Sequence, residues 1–263
     1  MKLLEFILQS SEYTQDYLVR MAHHSTAIEG NTLTQEQTAS ILLNGIISGN
    51  ILEREFYEVR NYKKIMPFIL QSIQDKKKLS PQLIREIHAL TMESLLDNAG
   101  NFKTIQNLIV GANFETTKPY LVPTRIYELC NNLDQQLQSA KNDDEKLKTI
   151  LKTHFDFERI HPFSDGNGRV GRLLIFYSCL QENILPPIIQ KEDKNLYIAI
   201  LREEKLDDFF ALAKQIQTKE QMRMEIFKQK QNTQRISPQR RAELEKQNGE
   251  EEMENKLKRH QDN

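Results

Sequence analysis

The stretch that most constrains this chain is residues 161–172, His-Pro-Phe-Ser-Asp-Gly-Asn-Gly-Arg-Val-Gly-Arg. Helical periodicity runs into it from residues 144–160, and the apolar run Leu173 to Tyr177 leaves it, so a glycine-bearing turn must feed directly into a new helix. Backbone N–H groups at such a turn, here Gly166, Asn167, Gly168 and Arg169, form an anion cradle with the positive end of a helix dipole behind it. The stretch therefore reads as a phosphate site. Arg169 and Arg172 are three apart, which on a helix places them on one face and lets them converge on one polyphosphate. His161 has a pKa suited to accepting a proton near neutrality. Asp165 offers the hard oxygen ligand that Mg²⁺ prefers when it bridges phosphates.

Composition narrows the setting. Of 263 residues only 38% are hydrophobic and 28% are charged, which points to an extended polar segment. Past residue 217 Lys, Arg, Glu and Gln dominate and Phe227 is the lone aromatic, so a solvated or helical tail is expected there, with a partner interface as the alternative. A formal net charge of −1 and no basic block interleaved with aromatics give nucleic-acid binding little support. Cys130 and Cys179 form neither a disulfide framework nor a metal motif, which suits the cytoplasm. The short apolar run Leu3 to Leu8, broken by Glu5, predicts no signal peptide and no membrane span.

In chain order, one or two helices are expected to about residue 28, stopped by Gly30-Asn31, with Thr34 to Gln37 spaced as a capping box for the next. A helical stretch over 52–76 carries Pro67, which should kink or split it. Ser80-Pro81 opens another helix, on which His88 reads as a packing residue. From residue 100 to 123 the periodicity changes, and Ile105 to Val110 and Tyr120 to Val122 flank a polar centre as in a β-hairpin. Helices follow at about 123–140 and 144–160, with His154 read as packing, then after the signature to about Asn183, at 196–202, and from Leu206. The expected division is 1–50, N-terminal helices; 51–216, a core; and 217–263, a charged tail.

The stretch 161–172 matches in full the signature His-Pro-Phe-x-Asp-Gly-Asn-Gly-Arg-x-x-Arg, and by it the chain resembles the Fic (filamentation induced by cAMP) family over roughly residues 20 to 215. The resemblance implies an all-α bundle with a small β-hairpin flap over the active site, and an enzyme that moves AMP from ATP to a Ser, Thr or Tyr hydroxyl of a target protein. His161 would take the hydroxyl proton, Asp165 would hold Mg²⁺, Gly166 to Arg169 would bind the polyphosphate and Arg172 the γ-phosphate. Tyr197 resembles the family tyrosine near the nucleotide base, with an exposed packing tyrosine as the alternative. Gly100 to Lys103 resembles the entry to the flap, Lys103 replacing the usual arginine. Leu108, Ile109, Val110 and Gly111 resemble the strand that would hold a target segment by main-chain pairing. Upstream, Ser25 to Gly30 resembles the inhibitory motif Ser/Thr-x-x-x-Glu-Gly/Asn, in which Glu29 would pair with Arg172 in place of the γ-phosphate. Local physics agrees: Glu29 ends a helix, where a carboxylate costs roughly 0.3–1 kcal/mol against the dipole and gains from a partner.

The leading expectation is thus an autoinhibited protein adenylyltransferase. Alternatives are an enzyme that removes AMP, or an idle interaction module acting through the tail; a homo-oligomer is left open. Phosphotransfer is disfavoured, because relatives that carry it have Lys where this chain has Gly168.

Overall fold

The structure, a computed structural model, describes residues 3–109 and 114–235. The chain divides into two compact units, residues 1–220 and 221–263, with the division inside the last helix. Among the described residues every regular element is helical.

The centre of the first unit is α9 (Asn167–Gln181). It follows the glycine turn of the signature, and from Val170 to Leu180 nearly every side chain is buried. Such a helix has no polar face to give to water and must be enclosed. It is packed by α8 (Asp143–Ile160), α6 (Pro81–Thr91), α5 (Tyr62–Gln74) and α2 (Ser11–Ile28). α7 (Val122–Ser139) backs α8. Phe155, Ile175, Cys179, Tyr197 and Phe209 join α8, α9, α10 (Lys194–Glu203) and α11 (Leu206–Arg235) in one apolar core.

Local chemistry sets most boundaries. Ser80 accepts a hydrogen bond from Leu83 N–H, with Pro81 in the first turn of α6. Thr34 and Gln37 close the expected capping box on α3 (Gln35–Ala39), which passes into a π-helical turn, Ser40–Asn44, stopped by Gly45 in the left-handed region. Gly30, at φ +106°, ends α2. α1 (Leu3–Gln9) precedes α2 as a separate helix. The helical tail is observed as far as Arg235; Pro238 and Gly249 lie outside the described residues.

Two expectations need correction. Pro67 sits inside α5 without splitting it, and the break falls at Asn61, between α4 (Glu53–Arg60) and α5. Asn61 is buried, and its amide donates to the Thr91 and Glu93 carbonyls, so a long-range capping role outweighs continuity there. The β-hairpin is not formed: no strand occurs among the described residues, Leu108 and Ile109 lie in irregular backbone, and Val110 and Gly111 lie outside the described residues. Pro119 opens a 3₁₀ turn and Pro123 lies in the first turn of α7, so Tyr120 to Val122 become helical. Proline cannot donate to a ladder and its fixed φ fits the first helical turn. Side chains hold the neck of this segment instead. Gln106 donates to the Thr116 carbonyl, and the buried Lys103 ammonium reaches Asn107, Thr116 and the Ile160 carbonyl.

Burial depresses five imidazoles from 6.5: His23, His24, His88 and His161, the last three to about 4, and His154, to about 3. Between pH 6.5 and those values the unfolded chain binds more protons at these histidines than the folded one, so each contributes stability that is lost as pH falls; Glu158, raised from 4.5 to about 8, opposes them but is one group against several. Thermal unfolding at pH 7.5 and pH 5.0 checks this, and the lower melting temperature is expected at pH 5.0.

Candidate active site

His161 is placed by the end of α8. It takes a left-handed conformation, φ +48°, with its N–H bonded to the Phe157 carbonyl, which turns the chain sharply into the signature loop. Its Nδ1 lies 3.3 Å from the Glu158 carbonyl oxygen. A carbonyl only accepts, so Nδ1 carries the proton and Nε2 is left as the acceptor. Burial holds this imidazole down at about 4, with the Lys103 ammonium pushing the same way.

The loop is pinned from several sides. Phe163 is fully buried, stacks on His88 at 3.7 Å and lies against Phe102. Asn167 accepts from Phe163 N–H at 2.9 Å and donates to the Phe163 carbonyl at 2.8 Å, closing the turn on itself. His88 accepts from Gly100 N–H at 2.8 Å through Nδ1 and donates through Nε2 to the Asp165 carbonyl at 3.1 Å. The packing histidine of the sequence reading is thus a brace for the loop. Gly166, at φ +80°, caps α9, and a Cβ there would lie 2.6 Å from Met92 Sδ.

The N-terminus of α9 already holds an anion. A Cβ on Gly168 would lie 2.4 Å from Glu29 Oε1, so the carboxylate sits against the backbone of the first turn. Glu29 Oε1 accepts from Arg172 Nη2 at 2.6 Å, and the same guanidinium donates to Ser25 Oγ at 3.0 Å and to the Ser25 carbonyl at 2.8 Å. Burial pushes the Glu29 carboxyl up, but Arg172 outweighs it and holds the group below its usual range. Ser25 and Glu29 therefore meet Arg172 in one cluster, and Gly30 ends the helix that carries them.

Arg169 goes elsewhere. It is buried, with Nη1 3.1 Å from Glu58 Oε1 and Nη2 3.4 Å from Asp165 Oδ1. The shared face expected for Arg169 and Arg172 is corrected accordingly: neighbouring carboxylates draw the first away from the cavity and leave Arg172 facing it. Asp165 Oδ1 also accepts from Gly166 N–H at 2.6 Å, while Oδ2 meets Arg54 Nη2 at 2.6 Å. Arg54 and Arg169 hold this carboxyl below its usual range against the effect of burial. Among the described residues no three His, Cys, Asp or Glu side chains converge as a metal cage. A single half-exposed carboxylate beside an anion site fits an Mg²⁺ held jointly by protein and phosphates.

Glu29, His161, Gly168 and Arg172 line a cavity of about 300 Å³ whose other wall is apolar, with Ile28, Phe155, Tyr197, Ile198 and Leu201. A larger one, about 520 Å³, opens beside Ile41, Phe56 and Asn61 but holds neither base nor anion cradle. Tyr197 is buried and not an exposed packing residue, its hydroxyl 2.7 Å from His154 Nε2. Sequence reasoning missed Glu158, which lines the cavity, lies 3.8 Å from His161 Nδ1 and is pushed up to about 8 by burial. The one available signal was Gly171, where a Cβ would lie 2.6 Å from both Glu158 and His154. It also missed Arg54 and Glu58, which pair with each other at i,i+4 but whose contacts with Asp165 and Arg169, about a hundred residues away, follow from no local pattern.

A buried imidazole, a helix start occupied by a carboxylate and a partly apolar cavity thus meet in one helical bundle. Residues 78–179 match the Fic/DOC family, so this part of the chain is a Fic domain. It is 30% identical over 189 residues to a protein adenylyltransferase, fic-1, of Caenorhabditis briggsae, covering 71% of this chain and 36% of the relative. A probable protein adenylyltransferase of Aquifex aeolicus is 31% identical over 182 residues, covering 65% of this chain and 55% of the relative. The chain thus spans only about a third to a half of the length of these relatives. Among solved structures, a Fic domain-containing signaling protein from Bacteroides thetaiotaomicron superposes with a TM-score of 0.70 at 24% identity, covering 81% of this chain and 86% of that one. A fragment of Fic-1 from Caenorhabditis elegans gives 0.69 at 25% identity, covering 81% and 63%.

Titration of the His161 ring protons by NMR is expected to give a midpoint near 4, the imidazole staying a free base through neutrality. A midpoint at 6.5 would place the ring in water and contradict the packing described.

Proposed function

We propose that this chain is a protein adenylyltransferase, moving AMP from ATP to a hydroxyl of a target protein, and that Glu29 holds it in an inhibited state. The observation that carries the reading is the Glu29–Arg172 pair, a carboxylate 2.6 Å from the last arginine of the signature, at the helix start where a phosphate would bind. Relatives named adenylyltransferases support the reaction class.

On this reading ATP lies in the cavity with its base against Tyr197, Ile198 and Leu201, its phosphates over the first turn of α9, and its γ-phosphate on Arg172. Asp165 would hold Mg²⁺, which when bound would neutralise phosphate charge. His161 Nε2 accepts the proton of the target hydroxyl as that oxygen bonds to the α-phosphorus and pyrophosphate leaves with the electron pair. Placement and charge neutralisation do most of the work. The segment from Lys103 to Thr116 serves as the docking flap, Leu108 and Ile109 offering backbone to the target; Ile105 and Leu108 are each 79% exposed, which supports a surface awaiting a partner.

Glu29 competes with the γ-phosphate for Arg172. Glu29→Gly should raise transfer of α-labelled AMP by well over tenfold, and adding Arg172→Ala should cancel the gain. A Glu29→Gly protein that folds, binds ATP and is no more active would overturn the inhibited state. His161→Ala in the Glu29→Gly background should keep ATP binding and lose about 10²–10⁴-fold in transfer, the usual cost of removing a general base. Unchanged transfer would remove His161 from the mechanism.

A further inference from the structure

We infer that Arg54 competes with the divalent cation: its guanidinium caps the one oxygen of Asp165 free to face a metal, and so sets the metal affinity of the site. This rests on the reading of Asp165 as the metal carboxylate. The two oxygens of that carboxylate are used differently. Oδ1 is turned inward, accepting from Gly166 N–H at 2.6 Å and facing Arg169 at 3.4 Å. Oδ2 is left with Arg54 Nη2, also at 2.6 Å. A cation coordinated by Oδ2 would stand beside a guanidinium on the same atom, and two cations there repel each other.

Arg54 is built to let go. Its side chain is 58% exposed, and its Nε keeps a second partner, Glu58 Oε1, at 3.1 Å. Leaving Asp165 therefore strands no buried charge, and solvent receives the freed end. The carrier is not independent of the inhibitory helix. Asn31 donates to the Glu55 carbonyl at 3.1 Å and to Glu58 Oε2 at 3.0 Å. Thr32 bonds Glu55 through both its N–H and its hydroxyl at 2.7 Å. The residues just after Glu29 and the helix bearing Arg54 thus form one hydrogen-bonded piece, which places an anion on the phosphate site and a cation on the metal site together. No motif outside the signature announces this, because Arg54 precedes Asp165 by 111 residues.

Manganese, which EPR reads directly, tests the inference on the full chain with a non-hydrolysable ATP analogue bound. Arg54→Ala should bind Mn²⁺ about two- to fivefold more tightly than wild type, the range for a half-exposed ion pair, with affinity for the analogue in chelator unchanged. Arg54→Lys should fall between the two, and in an Asp165→Ala background the Arg54 change should have no effect. Equal or weaker Mn²⁺ binding by Arg54→Ala would overturn the inference, the weaker case showing that Arg54 grips the phosphates instead. Asp165→Ala with wild-type Mn²⁺ affinity would overturn the metal reading of Asp165 itself and this inference with it.

Discussion

A carboxylate and a guanidinium at the start of α9 govern this molecule. The Arg172 side chain is only 8% exposed, and a charge so placed needs an anion beside it. Glu29 supplies it, drawn from the end of α2, where the helix dipole opposes a negative group, to the start of α9, where a dipole welcomes one. Ser25, one turn earlier on α2, completes the contact by receiving two N–H bonds from the same guanidinium. The pair thus ties the N-terminal helices to the signature. It also fills the position that the proposed reaction needs for phosphate.

Arg169 pairs with Glu58 and Asp165 and does not line the cavity, whereas Arg172 does. His88, held neutral by burial, accepts on one ring nitrogen and donates on the other, which suits a brace between two backbone segments. The Lys103 ammonium meets only neutral acceptors, and burial lowers it to about 8. It holds this segment at the carbonyl just before His161, the proposed base, with three rotatable donors where the resembled motif has an arginine fork.

Much of this was legible in the sequence because it is local. Ser80-Pro81, Thr34 with Gln37, Gly30 and the glycine turn at Gly166 each satisfy or release backbone groups within a few residues, and those boundaries agree with the structure. The Glu29–Arg172 contact was legible only through the family motif, since nothing in either segment alone names the other. What stayed hidden depends on distant partners. Asn61 breaks a helix because two carbonyls thirty residues on await its amide, while Pro67, the obvious breaker, is accommodated. Alternation of apolar residues suggested a hairpin, yet the prolines at 119 and 123 favoured helical starts. Arg169 and Arg172 share a spacing but not a direction, because spacing fixes the helix face and neighbouring carboxylates fix where a long side chain goes.

The central claim is that Glu29 and a terminal phosphate want the same arginine. ADP lacks the γ-phosphate, so calorimetric affinities of ATP and ADP for wild type and Glu29→Gln, in magnesium, test it most directly. Competition predicts that Glu29→Gln tightens ATP severalfold and ADP hardly at all. Equal changes for the two nucleotides, or none for either, would show that Glu29 does not stand in the γ-phosphate's place.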